Sequence, residues 1–231
     1  MKRFAAALIV FAVAACTTSV QEPTPATIDH ASNAVVSLEF KQNAFGADFP
    51  QGSRAFCSGV VISADRILTN RHCVEADPGR QIWVRFRDGT MTKATLVAKT
   101  ELPHDGALLS VDPRTVKHIA LIRLTPAIVG EKVFTVGMPA GLRWTVTSGI
   151  VSRDDRDICD LLDDETKVTI ACGPWIQTDA PINPGNSGGA LFDADGYLIG
   201  INTLSLTGGR IAGIGMARHV AVLLDLLREH L

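Results

Sequence analysis

The residues with the most chemical potential sit in Asn183-Pro184-Gly185-Asn186-Ser187-Gly188-Gly189. A serine between glycines on a tight turn exposes its hydroxyl and leaves backbone N–H groups free beside it. Those are the parts an acyl transfer needs: a nucleophile, and donors for a tetrahedral oxyanion. The hydroxyl also needs a general base within about 3 Å. Downstream of Ser187 only His219 and His230 are available, and both fall in a stretch with helical patterning. Upstream, His72 closes Thr69-Asn70-Arg71-His72-Cys73, directly after the apolar Arg66-Ile67-Leu68. An acid is then required to orient the imidazole. Asp105 stands at the head of the apolar run Ala107-Leu108-Leu109. Asp88 and Asp112 are rivals by position. Asp88-Gly89 and Asp112-Pro113 read better as turns.

Holding such a triad requires rigid elements, and the chain supplies short strands. Val35-Leu38, Gly59-Ile62, Ile82-Phe86, Ala94-Val97 and Ala107-Val111 are strand-like. A second series runs through Val133-Val136, Trp144-Val146, Trp175-Gln177, Leu198-Ile201 and Ile211-Ile214. Strands every ~10 residues with little helical periodicity indicate an all-β barrel or sandwich. The two series divide near Thr125-Pro126. The end differs: Val220, Leu223, Leu224, Leu227 and Leu231 share one helical face, which predicts a C-terminal helix over 217–231. A glycine-flanked serine also fits the G-x-S-x-G elbow of α/β-hydrolases. That elbow leads into a helix, whereas Ala190-Leu191-Phe192, Asp193-Ala194-Asp195-Gly196 and Tyr197-Leu198-Ile199 read as a β-hairpin. An elbow hydrolase also places its histidine after the serine.

Composition excludes other classes. The net charge of −2 comes with no basic block, so nucleic-acid binding has no footprint. The six histidines are scattered, and neither H-E-x-x-H nor a zinc-spaced Cys/His cluster occurs. No metal and no cofactor is expected. The N-terminus reads as an export signal. Lys2 and Arg3 precede an apolar run from Phe4 to Ala15, shorter than the ~20 residues that span a bilayer. It ends in Val13-Ala14-Ala15-Cys16, which resembles the lipobox of bacterial lipoproteins, with Cys16 as the lipidated N-terminus. An ordinary signal peptide or an uncleaved anchor are the alternatives. Residues 16–32, polar and proline-bearing, then read as a flexible tether. With Cys16 set aside, Cys57, Cys73, Cys159 and Cys172 remain, and four cysteines allow three pairings.

Strand, then T-x-x-H-C, resembles the histidine motif of the chymotrypsin/trypsin-like serine proteases. Cys57 stands sixteen residues before Cys73, as does the partner of the histidine-loop disulfide in that family. Asp105-Gly106-Ala107-Leu108-Leu109 resembles the family's D-[IL]-A-L-[LI], with Gly106 in place of a large aliphatic residue. The order His, Asp, Ser is also that of the family. The resemblance implies His72, Asp105 and Ser187 as the catalytic triad. It implies tandem six-stranded β-barrels of the chymotrypsin type, about 33–125 and 126–215, followed by the helix. It also implies the bridge Cys57–Cys73, leaving Cys159–Cys172. Trp175 to Leu191, Gly137-Met138-Pro139, Thr145 to Val151 and Ile199 to Thr203 narrow the likeness to HtrA (Deg) proteases.

Further expectations rest on that likeness. The oxyanion hole would be the N–H groups of Gly185 and Ser187. Asn186 replaces the zymogen aspartate that pairs with a new N-terminal amine, so no activating cut is expected. Pro181 stands where cleavage after Lys or Arg calls for Asp. Ile182, Ile201 and Ile214 then predict a pocket for small or medium aliphatic side chains, with Thr203 on the strand that receives the substrate backbone. HtrA proteases usually carry PDZ domains, and none fits before Leu231. The acidic segment 152–174, closed by Cys159–Cys172 and restricted by ~3 kcal/mol, is a candidate substitute regulator; an incidental surface staple is the alternative. The expected function is a serine endopeptidase acting on polypeptides of the bacterial cell envelope, lipid-anchored and facing the periplasm or exterior. The competing reading is a catalytically latent chaperone or adaptor of the same fold.

Overall fold

Paired apolar residues such as Val35-Val36 and Leu108-Leu109 break the in–out alternation of a one-sided strand. Both faces of their strands are covered, which explains the continuous runs. The computed structural model describes residues 21–40, 54–75, 79, 81–101, 103–157, 173–208 and 211–231. Six strands, β1 (Val35–Phe40), β2 (Arg54–Val61), β3 (Arg66–Asn70), β4 (Ile82–Arg85), β5 (Met91–Lys99) and β6 (Gly106–Ser110), close a barrel in the order β1-β2-β3-β6-β5-β4. After β7 (Leu121–Ile122) come β8 (Lys132–Gly137), β9 (Thr145–Arg156), β10 (Trp175–Thr178), β11 (Ala190–Asp193), β12 (Tyr197–Gly208) and β13 (Ile211–His219). These six pair as β11-β8-β9-β10-β13-β12, and β11–β12 pairing closes the second barrel. β7 joins β12 in parallel, so this short strand before the expected boundary belongs to the second sheet.

The period of two along each strand sorts side chains between two cores. Val36, Val61, Ile67 and Leu109 converge with Leu38 and Val84 within the first barrel. Their neighbours Val35, Val60, Leu68 and Leu108 point the other way. There they meet Phe134, Val136, Phe192 and Leu198 of the second barrel. The barrels therefore share one apolar core. Each such buried aliphatic side chain is worth about 1.5–3 kcal/mol.

Of the segment 16–32 read as a tether, residues 16–20 lie outside the described residues, and helix α1 (Pro25–Ser32) corrects the C-terminal half. Thr24 caps it, its Oγ1 accepting from Thr27 N–H at 3.1 Å, and proline occupies the first turn, where no N–H is needed. Ile28 and Ala31, one turn apart, pack on the inter-barrel core. A Thr-Pro pair marks a linker and a helix start equally well, and only the burial separates them.

The C-terminal helix is shorter than expected. Ala217 to His219 stay in β13, paired with Trp175–Ile176 and with Gly200–Asn202. Helix α3 spans Val220–Leu227 and buries Val220, Leu223 and Leu227, and a 3-10 turn Arg228–His230 follows it. α3 also explains Gly106. A Cβ there would lie 2.6 Å from Leu223 Cδ2, so the large aliphatic residue of related sequences has no room.

Cys57 and Cys73 form a disulfide, as expected from the family likeness. Cys16, Cys159 and Cys172 lie outside the described residues.

Candidate active site

β3 ends at Asn70, and the chain turns into the five-residue helix α2 (Arg71–Glu75), which carries His72. Cys73, fully buried, ties α2 back to β2 through Cys57. The two sulfurs nearest the imidazole are thus bonded to each other and serve the loop. Asp105 directly precedes β6, itself paired with β3. Its Oδ2 lies 2.7 Å from His72 Nδ1, and its Oδ1 accepts from the His72 backbone N–H at 2.8 Å. One carboxylate therefore holds both the ring and the backbone of the histidine. That grip orients the imidazole with Nδ1–H toward the acid and Nε2 free to accept a proton.

Asp105 adopts φ 55°, left-handed and uncommon outside glycine. Its carbonyl accepts from Arg71 N–H at 3.0 Å and from Asn70 Nδ2 at 3.1 Å, which fixes this conformation. The rival acids are occupied elsewhere. Asp88 caps Thr90 N–H at 2.8 Å and pairs with Lys117, contacts that hold its carboxyl at about 2. Asp112 caps Arg114 N–H at 3.0 Å and pairs with the Arg114 guanidinium, which lowers its pKa.

Ser187 sits on a turn that only glycine can make. Gly185 and Gly188 have φ 103° and 79°. A Cβ on Gly185 would lie 2.2 Å from the Met138 carbonyl, and one on Gly188 equally close to the Ser58 carbonyl. The turn is held from the first barrel. Ser58 N–H donates to the Ser187 carbonyl, and Ser58 Oγ to the Gly185 carbonyl, both at 2.8 Å. Asn186 N–H closes the turn on the Asn183 carbonyl at 2.9 Å. Among the described residues, the N–H groups of Gly185 and Ser187 donate to no protein acceptor. The Ser187 hydroxyl donates to the Thr203 carbonyl at 3.3 Å, and no hydrogen bond joins it to His72.

The structure divides the expected substrate-binding residues. Ile182 is buried against β13, where a Cβ on Gly215 would meet its Cδ1 at 2.7 Å. Ile214 is half-buried beside Trp175 and Met216. Thr203 lies on β12, its hydroxyl accepting from Asn70 Nδ2 at 3.0 Å. Ile201 is corrected: its side chain is fully buried in the inter-barrel core, because its strand position faces away from the cleft. Sequence reasoning missed Ser58 and Asn70. Ser58 interrupts an apolar run, whereas Asn70 ends Arg66-Ile67-Leu68-Thr69-Asn70 with no such contrast; both are fully buried, and buried polar groups find partners.

The sequence profile of the trypsin-like peptidase domain matches residues 57–201. A probable periplasmic serine endoprotease DegP-like of Hahella chejuensis is 36% identical over 197 residues, covering 83% of this chain and 39% of that protein. The periplasmic pH-dependent serine endoprotease DegQ of Escherichia coli is 40% identical over 187 residues, covering 78% and 38%. The chain thus spans well under half the length of these curated relatives. Among solved structures, the HtrA-type protease AlgW with a tripeptide superposes with a TM-score of 0.70 at 35% identity, covering 90% of this chain and 63% of that one. A serine endoprotease from Yersinia pestis gives 0.67 at 32%, covering 88% and 64%.

Proposed function

Because the chain belongs to the trypsin-like peptidase family, on its HtrA-type side, we propose that it is a serine endopeptidase with His72, Asp105 and Ser187 as its triad. The observation that carries this reading is the double grip of Asp105 on His72, at 2.7 and 2.8 Å, in a cleft shared with the glycine-framed Ser187. In the reaction Ser187 Oγ attacks the scissile carbonyl carbon while His72 Nε2 takes its proton. Asp105 stabilises the imidazolium without itself becoming protonated. The oxyanion receives the N–H groups of Gly185 and Ser187. Collapse returns the proton to the leaving amine, and water then releases the acyl group by the same steps in reverse.

The polypeptide lies along β12 near Thr203 as an added strand. Ile182, pressed against Gly215, keeps the specificity pocket short and apolar, which favours small or medium aliphatic side chains. Two relatives are named periplasmic, which supports the cell envelope as the place of action. Cys16 supplies the lipid anchor in this reading. The hydrogen bond of the Ser187 hydroxyl to Thr203 favours a resting state that substrate converts. Peptide-library cleavage by the wild-type chain and Ser187→Ala tests the proposal. The expected outcome is cleavage after aliphatic residues and a loss of about 10⁴-fold or more in the variant. Equal cleavage by both would refute the nucleophile. Fluorophosphonate that never labels Ser187, even with peptide present, would favour a latent binding module.

A further inference from the structure

The Pro184 carbonyl accepts from Ala140 N–H at 2.8 Å. A trans peptide carries its C=O and N–H on opposite sides, so this contact aims the Gly185 N–H away from Ala140. The orientation of one oxyanion donor thus depends on where the segment joining β8 to β9 is held. That segment is conformationally costly. Ala140, Gly141 and Trp144 have φ 51°, 83° and 54°, and two of these residues are not glycine. Such conformations persist only where the surroundings over-determine them.

Beyond its own turn bonds, Gly141 N–H to the Met138 carbonyl at 3.0 Å and Leu142 N–H to the Pro139 carbonyl at 2.8 Å, the segment is held by two residues of β1, in the other barrel. Trp144 Nε1 donates to the Val35 carbonyl at 2.9 Å, and its ring packs on the inter-barrel core. Arg143 Nε donates to Glu39 Oε1 at 2.8 Å. Glu39 is fully buried and is itself fixed by Arg85 Nε at 2.9 Å and Ser37 Oγ at 3.1 Å. At the near end, Met138 N–H donates to Ser58 Oγ at 3.1 Å, the same hydroxyl that holds the Gly185 carbonyl. The residue beside the nucleophile is neutral Asn186, so no ion pair at that position supports the turn.

We propose that Arg143 and Trp144 are positioning residues of the oxyanion hole. They strut segment 138–144 against β1, so that Ala140 holds the Pro184 carbonyl and the Gly185 N–H faces the reacting carbonyl. The catalytic part of this inference rests on the peptidase reading above. Neither residue touches substrate. Their removal therefore weakens transition-state stabilisation and leaves peptide binding on β12 intact.

The test uses the full chain with Arg143→Met, Trp144→Phe and Arg143→Lys. Arg143→Met leaves Glu39 paired with Arg85, and Trp144→Phe keeps the ring while removing the donor. The expected result is a fall in kcat of about 10- to 100-fold with KM within about twofold, and partial recovery in Arg143→Lys. Amide hydrogen exchange supplies a readout independent of turnover. Ala140 N–H should lose protection in Arg143→Met and Trp144→Phe, while Ser58 N–H, bound to the Ser187 carbonyl, keeps it. Unchanged Ala140 protection would overturn the strut, as would kcat at the wild-type level. Parallel loss of protection at Ala140 and Ser58 would also overturn it, since that pattern marks general loosening. A wild-type chain without Ser187-dependent turnover would sink the peptidase reading alone, and the exchange measurement would still decide the strut.

Discussion

Asn70 connects the two halves of the site through one side chain. Its Nδ2 reaches the Asp105 carbonyl and the Thr203 hydroxyl at 3.1 and 3.0 Å, and the residue is fully buried. It therefore supports the left-handed backbone of Asp105 and, at the same time, the strand on which substrate would lie. Replacing it with alanine deletes both contacts and leaves a buried carbonyl with one donor fewer, at about 1–3 kcal/mol. We predict that Asn70→Ala lowers kcat/KM about 10-fold, and that Asn70→Asp lowers it further by placing a second carboxylate beside Asp105. Steady-state kinetics on one peptide substrate would check both, and wild-type kcat/KM in Asn70→Asp would contradict the role. At this scale Ser187 and His72 stood out as candidate nucleophile and base by type and by flanking residues. Asp105 needed the family motif; its carboxylate lies 2.7 Å from His72 Nδ1, while those of Asp88 and Asp112 cap their own turns. Ser58, Asn70, Arg143 and Trp144 were not legible, because their partners lie far away in sequence. Ser58 and Gly185, for instance, are 127 positions apart.

The strands were readable because a strand buried on both faces is a run of apolar residues, and these barrels are covered inside and between. Helix ends were less so. Pro25 and the threonine before it carry the same signal for a linker as for a capped helix. Ala217 to His219 continue a helical pattern in sequence, yet their backbone groups are taken by β10 and β12. The helix that follows has a definite task. Leu223 of α3 descends on Gly106, next to Asp105, with Thr100 Cγ2 on the other side at 3.2 Å from a Cβ built there. Gly106→Ile should therefore destabilise the fold by overpacking, about 1–3 kcal/mol. Leu223→Ala should cost about 2–5 kcal/mol through the cavity it leaves. Because the two changes act on the same space, the double variant should be more stable than the sum of the singles implies, by about 1 kcal/mol or more. Urea denaturation of the four proteins measures this coupling, and strict additivity would show that α3 does not set the size of residue 106.

Across the whole molecule, the site exists only where the barrels meet. One barrel brings His72 and Asp105, the other Ser187, and the ties between them run through Ser58, Asn70, Glu39 and Trp144. The same seam holds two half-buried histidines that make stability depend on pH. His104, before β6, is shifted down first by burial and then by the positive charge of Arg218. Arg218 is itself fully buried, stacked 3.6 Å above the Trp175 ring, with a pKa lowered to about 10 by desolvation. His219, at the end of β13, is also shifted down, by burial first. Asp154, at 2.8 Å, and Asp155 oppose that shift, while Arg218 adds to it. A histidine with a depressed folded pKa binds protons more readily in the unfolded chain. Its contribution is complete above the unfolded value of about 6.5 and is lost as pH falls through the folded value. Glu75, Asp88 and Asp112 are also shifted down, but their contributions are lost only below about pH 4. Asp193 is shifted up, by desolvation first, so it gains stability as pH falls and opposes the histidines. The comparison between about pH 7.5 and 5 is therefore made against a variant that lacks both histidines. The thermal midpoint should fall across that window in the wild-type chain. It should fall clearly less in His104→Gln/His219→Gln, which cannot take up those protons. Equal slopes in the two proteins would show that the seam does not sense protons through this pair. A wild-type midpoint that rises on acidification would mean that the Asp154 carboxylate outweighs burial at His219.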